Sequence, residues 1–180
     1  MQIKTNIKLV LPNIKYKDSY YDLVESASKN GDASELGNAY RENETFEQML
    51  KRLRDRRKGK NISKKDVAAT VYFIVKDNTV VGTIDARSYL NDNYYADLGH
   101  IAYYIKPEER KKGYATKALD LVLKKYKNTD RILIACTKDN IASSKVIENN
   151  GGVLEKIYLS DRFGVEIKRY WITKWGDLYV

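Results

Sequence analysis

A single cysteine, Cys136, and a single histidine, His100, are all that this chain of 180 residues offers of the side chains that build disulfides and soft-metal sites. One cysteine excludes an internal disulfide, and one cysteine with one histidine falls short of the four-ligand clusters of structural zinc, so no metal is expected. Proline is scarce as well: Pro12 and Pro107 are the only two, and each is read as the end of an element. Runs of eighteen apolar residues are missing. The opening MQIKTNIKLVLPNIKYKD breaks its apolar positions with lysines and has no small-residue cleavage site, so the sequence predicts neither a membrane span nor a signal peptide. Together these absences suit a reducing cytoplasm.

What is present describes a globular chain. Hydrophobic residues make up 43% and charged residues 32%, and the length fits one domain over residues 1–180. The net charge of +9 suits nucleic acid, an acidic partner or a ligand with several phosphates, and charge alone does not choose among them. Fifteen tyrosines against three phenylalanines make any single tyrosine weak support for catalysis.

Taken in order, residues 3–11 read as an opening strand stopped by Pro12. Asp18 or Ser19 caps a helix that carries Tyr20, Leu23, Val24 and Ala27 to the Asn30-Gly31 stop. Residues 31–44 are polar and irregular. A second helix, from about Thr45 to Lys58, places Phe46, Met49, Leu50 and Leu53 on one stripe, with the basic run Lys51–Lys60 opposite. That run reads as a solvated helix face, with a phosphate-tracking surface as the sharper alternative. ATVYFIVK and the segment Thr79–Tyr89 form a hairpin around Asp77-Asn78, with Gly82 marking a bulge or a close approach. LNDNYYAD is read as a polar connection to a strand that ends at Lys106.

The stretch from His100 to Ala115, HIAYYIKPEERKKGYA, is the centre of the reading: a strand, a proline stop, a basic turn and the start of a helix. Gly113 and the small Ala115 let the backbone curl around a ligand, and the helix start aims unpaired N–H groups at an anion. Arg110, Lys111 and Lys112 add positive charge there. The following helix is clearly periodic, with Ala115, Ala118, Leu119, Val122, Leu123 and Tyr126 on one face. RILIAC, Arg131 to Cys136, is a short apolar run that reads as a buried strand, parallel to the one before the helix. Asn140 then precedes a short helix that stops at Gly151-Gly152, and two strand-like runs, Val153–Leu159 and Val165–Trp175, close the chain.

The pattern of strand, Arg110-x-x-Gly113-x-Ala115 and helix resembles motif A of the GCN5-related N-acetyltransferase (GNAT) superfamily. Asn140, Ser143 three residues on and the Gly-Gly stop resemble its motif B. Two motifs in the right order are harder to obtain by chance than either alone. The closing KRYWI, Lys168 to Ile172, resembles the last strand of one uncharacterised bacterial branch. The resemblance is specific from about Val80 to Ile172 and one of layout before that.

The resemblance implies an α/β (α+β) GNAT-like fold, a mixed sheet of six or seven mostly antiparallel strands with a central parallel βαβ unit and helices on both faces. It implies acetyl-CoA as co-substrate, direct attack by a primary amine of a small-molecule or peptide acceptor, and cofactor contacts at Tyr103, Tyr104, Ile105, Arg110, Lys111, Lys112, Gly113, Tyr114, Ala115, Thr116, Asn140, Ser143 and Lys145. The turn would hold the pyrophosphate, Asn140 the pantetheine, and Ser143 and Lys145 the sulfur and phosphate ends. His100, at the start of the fourth strand, is the candidate base, with Asp85 and Asp97 behind it; a structural bond at a strand end is its other reading. Many members place a tyrosine seven residues after the asparagine to protonate the leaving thiolate, where this chain has Ile147. Ser143, Tyr103 or Tyr158 is expected there instead. Cys136 reads as packing rather than as a nucleophile. Glu35 and Tyr40 are candidates for holding the acceptor. A catalytically inactive acyl-CoA-binding module and a basic nucleic-acid-binding protein are the alternatives, nucleic acid and membrane being unexpected partners and a homodimer through the tyrosine-rich closing strands an open one.

Overall fold

Asp77 and Asn78 both take positive φ, 47° and 64°, the conformation that a tight two-residue hairpin needs to match strand twist. In the computed structural model, which describes residues 6–173, this turn joins β2 (Ala69–Lys76) to β3 (Thr79–Arg87). β1 (Lys8–Val10) pairs with β2, and β4 (Ile101–Ile105) pairs with β3, giving a sheet of order β1-β2-β3-β4. β5 (Arg131–Thr137), β6 (Gly152–Leu159) and β7 (Glu166–Thr173) form a second sheet of order β5-β7-β6. Every ladder is antiparallel.

β4 and β5, expected to lie parallel on either side of α4, form no ladder with each other. The two meet only at an antiparallel bridge, Gly99 with Ile134, where the His100 N–H donates to the Leu133 carbonyl at 2.7 Å. Gly99 sits at φ 67°, and a Cβ there would lie 2.4 Å from the Leu133 carbonyl oxygen, so only glycine lets the strands touch at this point. Beyond it β4 pairs with β3 alone and β5 with β7 alone, and the sheets separate.

Helices cover both faces of the first sheet. On one side α4 (Tyr114–Leu123) and α5 (Ile141–Glu148) pack Ala118, Leu119, Val122 and Ile147 against Ile74, Ile84, Ile101 and Ile132. On the other, α1 (Lys17–Lys29) and α2 (Phe46–Arg57) pack Tyr20, Leu23, Phe46 and Met49 against Val71, Phe73 and Val80. Each Val, Leu, Ile, Phe or Met side chain among these taken fully out of water contributes about 1.5–3 kcal/mol. Thr45 and Gln48 close a reciprocal capping box on α2, with bonds of 3.2 and 2.8 Å.

Four boundaries differ from expectation. The opening strand shrinks to Lys8–Val10, its residues 3–5 lying outside the described residues. The irregular stretch contains a 3-10 strap, Ala33–Ala39, kinked at Gly37. LNDNYYAD is not a plain connection: Asn91 accepts from the Tyr94 N–H at 3.1 Å and caps the six-residue helix α3 (Asp92–Asp97). The last strand ends at Thr173, with Lys174 and Trp175 outside the described residues. At Gly82 a Cβ would sit 2.2 Å from the Tyr104 carbonyl oxygen, the close approach expected there, and the bulge is its neighbour Val81, which has no partner in β2. Among the described residues no helix is long and apolar enough to cross a membrane.

Candidate active site

Where β4 ends, the chain makes a short 3-10 turn, Pro107–Glu109, and enters α4 through Gly113, whose φ of 78° is left-handed. The first bond of the helix runs from the Lys117 N–H to the Gly113 carbonyl, 3.1 Å. The N–H groups of Gly113, Tyr114, Ala115 and Thr116 thus have no intrahelical acceptor and face outward from the helix start. Lys111, itself at φ 62°, is exposed at the same turn, while Lys112 is held by Glu109 at 2.9 Å. The Tyr114 side chain is buried with the core, so this residue offers the turn only its backbone. Such a concave run of donors with a helix dipole behind it fits a pyrophosphate.

Arg110 does something the sequence reading did not anticipate. Its Nε donates to the Ile105 carbonyl at 3.0 Å and its Nη2 to Asp32 at 2.5 Å, with the guanidinium over the Tyr104 ring. Tyr104 turns away from the cleft between the sheets and donates to the same Asp32 at 2.7 Å. Burial opposes the Asp32 charge, but hydrogen bonds from Tyr104, Arg110 and Asn30 outweigh it and hold the carboxyl below its usual range. Ser26 donates to Glu108, 2.7 and 2.8 Å from its two oxygens. Arg110 thereby ties the turn to Asp32 at the start of the strap, and Glu108 ties it to α1.

Across the gap between the sheets, the Tyr103 hydroxyl lies 2.7 Å from the Ser143 hydroxyl. Burial pushes the Tyr103 phenol well above its ordinary value, so it keeps its proton at neutral pH, and either hydroxyl of the pair can donate to the other. Asn140 is exposed and caps α5, its Oδ1 accepting from the Ser143 N–H at 2.9 Å. Lys145 is exposed on α5. Ile147 is fully buried in the core. Asn150 donates to the Thr116 carbonyl at 3.2 Å and ties α5 to the start of α4.

His100 is placed differently. It is buried, with Nδ1 accepting from the Leu133 N–H at 3.0 Å. A neutral imidazole that accepts at Nδ1 carries its proton on Nε2, which leaves no lone pair for a substrate. Burial lowers its pKa. The side chain bridges β4 to β5, the structural alternative for a histidine at a strand end. Tyr158 lies on the other side of the second sheet, its hydroxyl held by Asp97 at 3.0 Å and by the Ala96 carbonyl, and its phenol is pushed up to about 12 by burial and Asp97. Cys136 is half-buried beside Ser144.

Under the strap lie Arg56, Asp66, Arg87 and Tyr94, which sequence reasoning missed, together with Asp85 and Glu35, which it named as an alternative base and a candidate acceptor contact. Arg56, read as part of a solvated face, is 2% exposed. It donates to Asp85 at 2.8 Å and to both oxygens of Asp66 at 3.0 and 3.1 Å, and Tyr94 adds a bond to Asp66 at 2.6 Å. Arg87 lies 3.6 Å from Asp85, and Asn38 donates to Asp85 at 3.2 Å. Arg52 likewise turns inward, to Glu44. Asp85, Arg87, Thr83, Asn38 and Glu35 line a small recess whose wall includes Ala102 and Tyr103 of β4. The hint available in the sequence was the alternation Thr83, Asp85, Arg87 on one face of a strand.

A family model described as an acetyltransferase (GNAT) domain matches residues 17–153. The chain belongs to the GNAT acetyltransferase family. No curated protein sequence matches it. Among solved structures, this GNAT domain is similar to the microcin C7 self-immunity acetyltransferase MccE in complex with acetyl-CoA and AMP, with 16% identity, 97% of this chain and 96% of that chain covered, and a TM-score of 0.67. It is also similar to the Salmonella typhimurium acetyltransferase that modifies the N-terminal serine of ribosomal protein L7/L12, with 16% identity, coverage of 95% and 96%, and a TM-score of 0.65. A third is Mycobacterium smegmatis RimJ in complex with CoA-disulfide, with 15% identity, coverage of 93% and 81%, and a TM-score of 0.67. At these identities the likeness is one of fold, and it spans nearly the whole described GNAT domain. Among the described residues no cluster of His, Cys, Asp and Glu is arranged to hold a metal ion.

Proposed function

We propose that this GNAT domain transfers the acetyl group of acetyl-CoA to a primary amine by direct attack. The observation that carries the reading is the gap between β4 and β5, which has the free N–H groups of Gly113 to Thr116 where α4 begins and the Tyr103–Ser143 hydroxyl pair across its middle. The helix start holds the pyrophosphate, with Lys111 and Lys145 adding exposed charge. The outer edge of β4 offers backbone groups to the pantetheine as a strand edge does to an extended chain, and Asn140 presents its amide beside it. Solved structures of the same fold hold acetyl-CoA or CoA-disulfide, which supports the choice of co-substrate.

Tyr103 is our candidate for the proton that the leaving thiolate takes up, with Ser143 as its relay, since the two hydroxyls lie 2.7 Å apart across the gap and Ile147 stands where many members carry a tyrosine. The acceptor amine enters through the recess under the strap. An amine with an ordinary lysine-like pKa is neutral about once in several thousand molecules at pH 7, a deficit of about 4–5 kcal/mol. With the Nδ1 lone pair of His100 engaged and Asp85 bonded to Arg56 and Asn38, the exposed Glu35 at the lip of the recess is the better candidate to take that proton. A second reading, a cofactor-binding module without turnover, is favoured by the engaged His100.

Thiol release from acetyl-CoA over a panel of amines separates the two. Turnover that falls by about 10²-fold in Tyr103→Phe, with the KM for acetyl-CoA unchanged, is the expected result. Binding of acetyl-CoA without turnover on any amine supports the module, and no binding at all contradicts both.

A further inference from the structure

We propose that the basic face of α2 and the residues just after α4 form one docking surface for single-stranded RNA. The surface lies apart from the acetyl-CoA site, and the inference does not depend on the function reading above.

Residues 51–65 hold nine of the chain's 33 lysines and arginines against one carboxylate, Asp55. Folding turns two of the nine inward, Arg52 to Glu44 and Arg56 to Asp66 and Asp85. The other seven are exposed, and none of them is ion-paired among the described residues. Asp55 itself is engaged by the Asn61 amide at 2.8 Å. On α2, Lys51, Arg54 and Lys58 follow one another at i, i+3 and i+7, a line of charge about 10 Å long. Like charges held together without counter-charge repel one another, and an incoming polyanion relieves that repulsion.

Charge leaves the kind of polyanion open, and shape narrows it. Arg54 and Arg57 line a groove of about 80 Å³ beside Leu50, Leu53 and Thr70. Thr70 also lines a second groove, of about 230 Å³, with Lys125 and Lys127 and the hydroxyl residues Tyr72, Ser88 and Thr129. The two grooves therefore meet at β2. Lys125 Nζ sits 5.1 Å from the centre of the Tyr72 ring, which positions this cation at the groove. No carboxylate lines either groove. Cations lining a recess receive a single strand, whereas reading a duplex sends a protein element into the nucleic acid's own groove. A folded protein partner asks for a charge-depleted centre, and here the centre carries the arginines. Serine, threonine and tyrosine hydroxyls between cations bond phosphate and sugar oxygens. The ribose 2′-OH, donor and acceptor at once, gives them a partner that DNA lacks.

The place of the surface separates it from the cofactor. Lys125 and Lys127 follow the end of α4, whereas the anion-binding turn is its start, about 15 Å away along a ten-residue helix. RNA and acetyl-CoA can thus be held together.

Fluorescence anisotropy of a labelled oligouridylate of about 16 nucleotides tests this. Saturable binding at low salt is expected, with log K falling by about 0.7 per contacted phosphate for each tenfold rise in salt. Arg54→Ala with Arg57→Ala, and separately Lys125→Ala with Lys127→Ala, should each weaken binding about tenfold and reduce that slope by about 1.4. All four positions are exposed, and circular dichroism checks that both variants fold. Lys111→Ala, at the cofactor turn, and saturating acetyl-CoA should each leave RNA binding unchanged. No binding at low salt, affinity and slope unmoved in both double variants, or displacement by acetyl-CoA would overturn the inference. Equal or tighter binding of oligodeoxyuridylate, of polyglutamate or of phosphatidylglycerol vesicles would overturn it as well, giving the surface to DNA, an acidic protein or a membrane.

Discussion

The two sides of the first sheet handle polar groups in opposite ways. On the α4 side the functional groups are backbone N–H groups at one helix start and two hydroxyls, set in an otherwise apolar core. On the strap side the centre is a buried lattice of side chains from α2, the loop after it, β3 and α3. A backbone site asks only for a conformation, which a few neighbouring residues can encode. A side-chain site asks for several distant residues to agree, and it is sensitive to the loss of any one. The first suits a constant ligand and the second a variable one.

The largest expected effect comes from breaking the second kind. Arg56→Ala leaves Asp66 and Asp85 buried without their cation and should cost about 3–5 kcal/mol, read from urea unfolding. Arg54→Ala together with Arg57→Ala, from the same basic run, should change stability by less than about 0.5 kcal/mol per site. Equal effects would mean that Arg56 is as solvated as its neighbours. Gly113→Val probes the backbone site: a β-branched residue at φ 78° costs about 1–3 kcal/mol in strain and moves the N–H groups that the turn presents.

The smallest effect sharpens the role of His100. Its folded pKa is lowered by burial, so the folded state keeps it neutral while the unfolded chain takes up a proton below about pH 6.5. The stability it contributes is complete above that pH and is lost as pH falls from there toward the folded value. The urea midpoint should therefore drop between pH 7.5 and 5.5, and the drop should be shallower in His100→Asn. An identical slope in the variant would show that other groups carry the dependence.

The same contrast explains what the sequence disclosed. Arg110, Gly113 and Ala115 lie within six residues, and their spacing alone described the turn, the helix start and the free donors. The α4 stripe and the Asp77-Asn78 hairpin were legible for the same reason, since the period or the turn chemistry is local. Arg56, Asp66, Asp85, Arg87 and Tyr94 are joined only by folding. A buried arginine in the run KRLRDRRKGK looks like its solvated neighbours until α2 is laid on the sheet. Arg110 shows the limit within the motif itself, because its side chain is claimed by Asp32, far upstream, where spacing gives no sign. Helix α3 escaped notice because six residues, DNYYAD, are too few to show a period.

The central claim is that the α4 start is an anion cradle for acetyl-CoA, and calorimetric titration of acetyl-CoA into the wild type and Gly113→Val tests it most directly. The account predicts saturable one-site binding to the wild type, lost in a variant that remains folded by circular dichroism. Wild type that gives no heat and no rise in Tm at millimolar acetyl-CoA, or a folded variant that binds as tightly as the wild type, would contradict it.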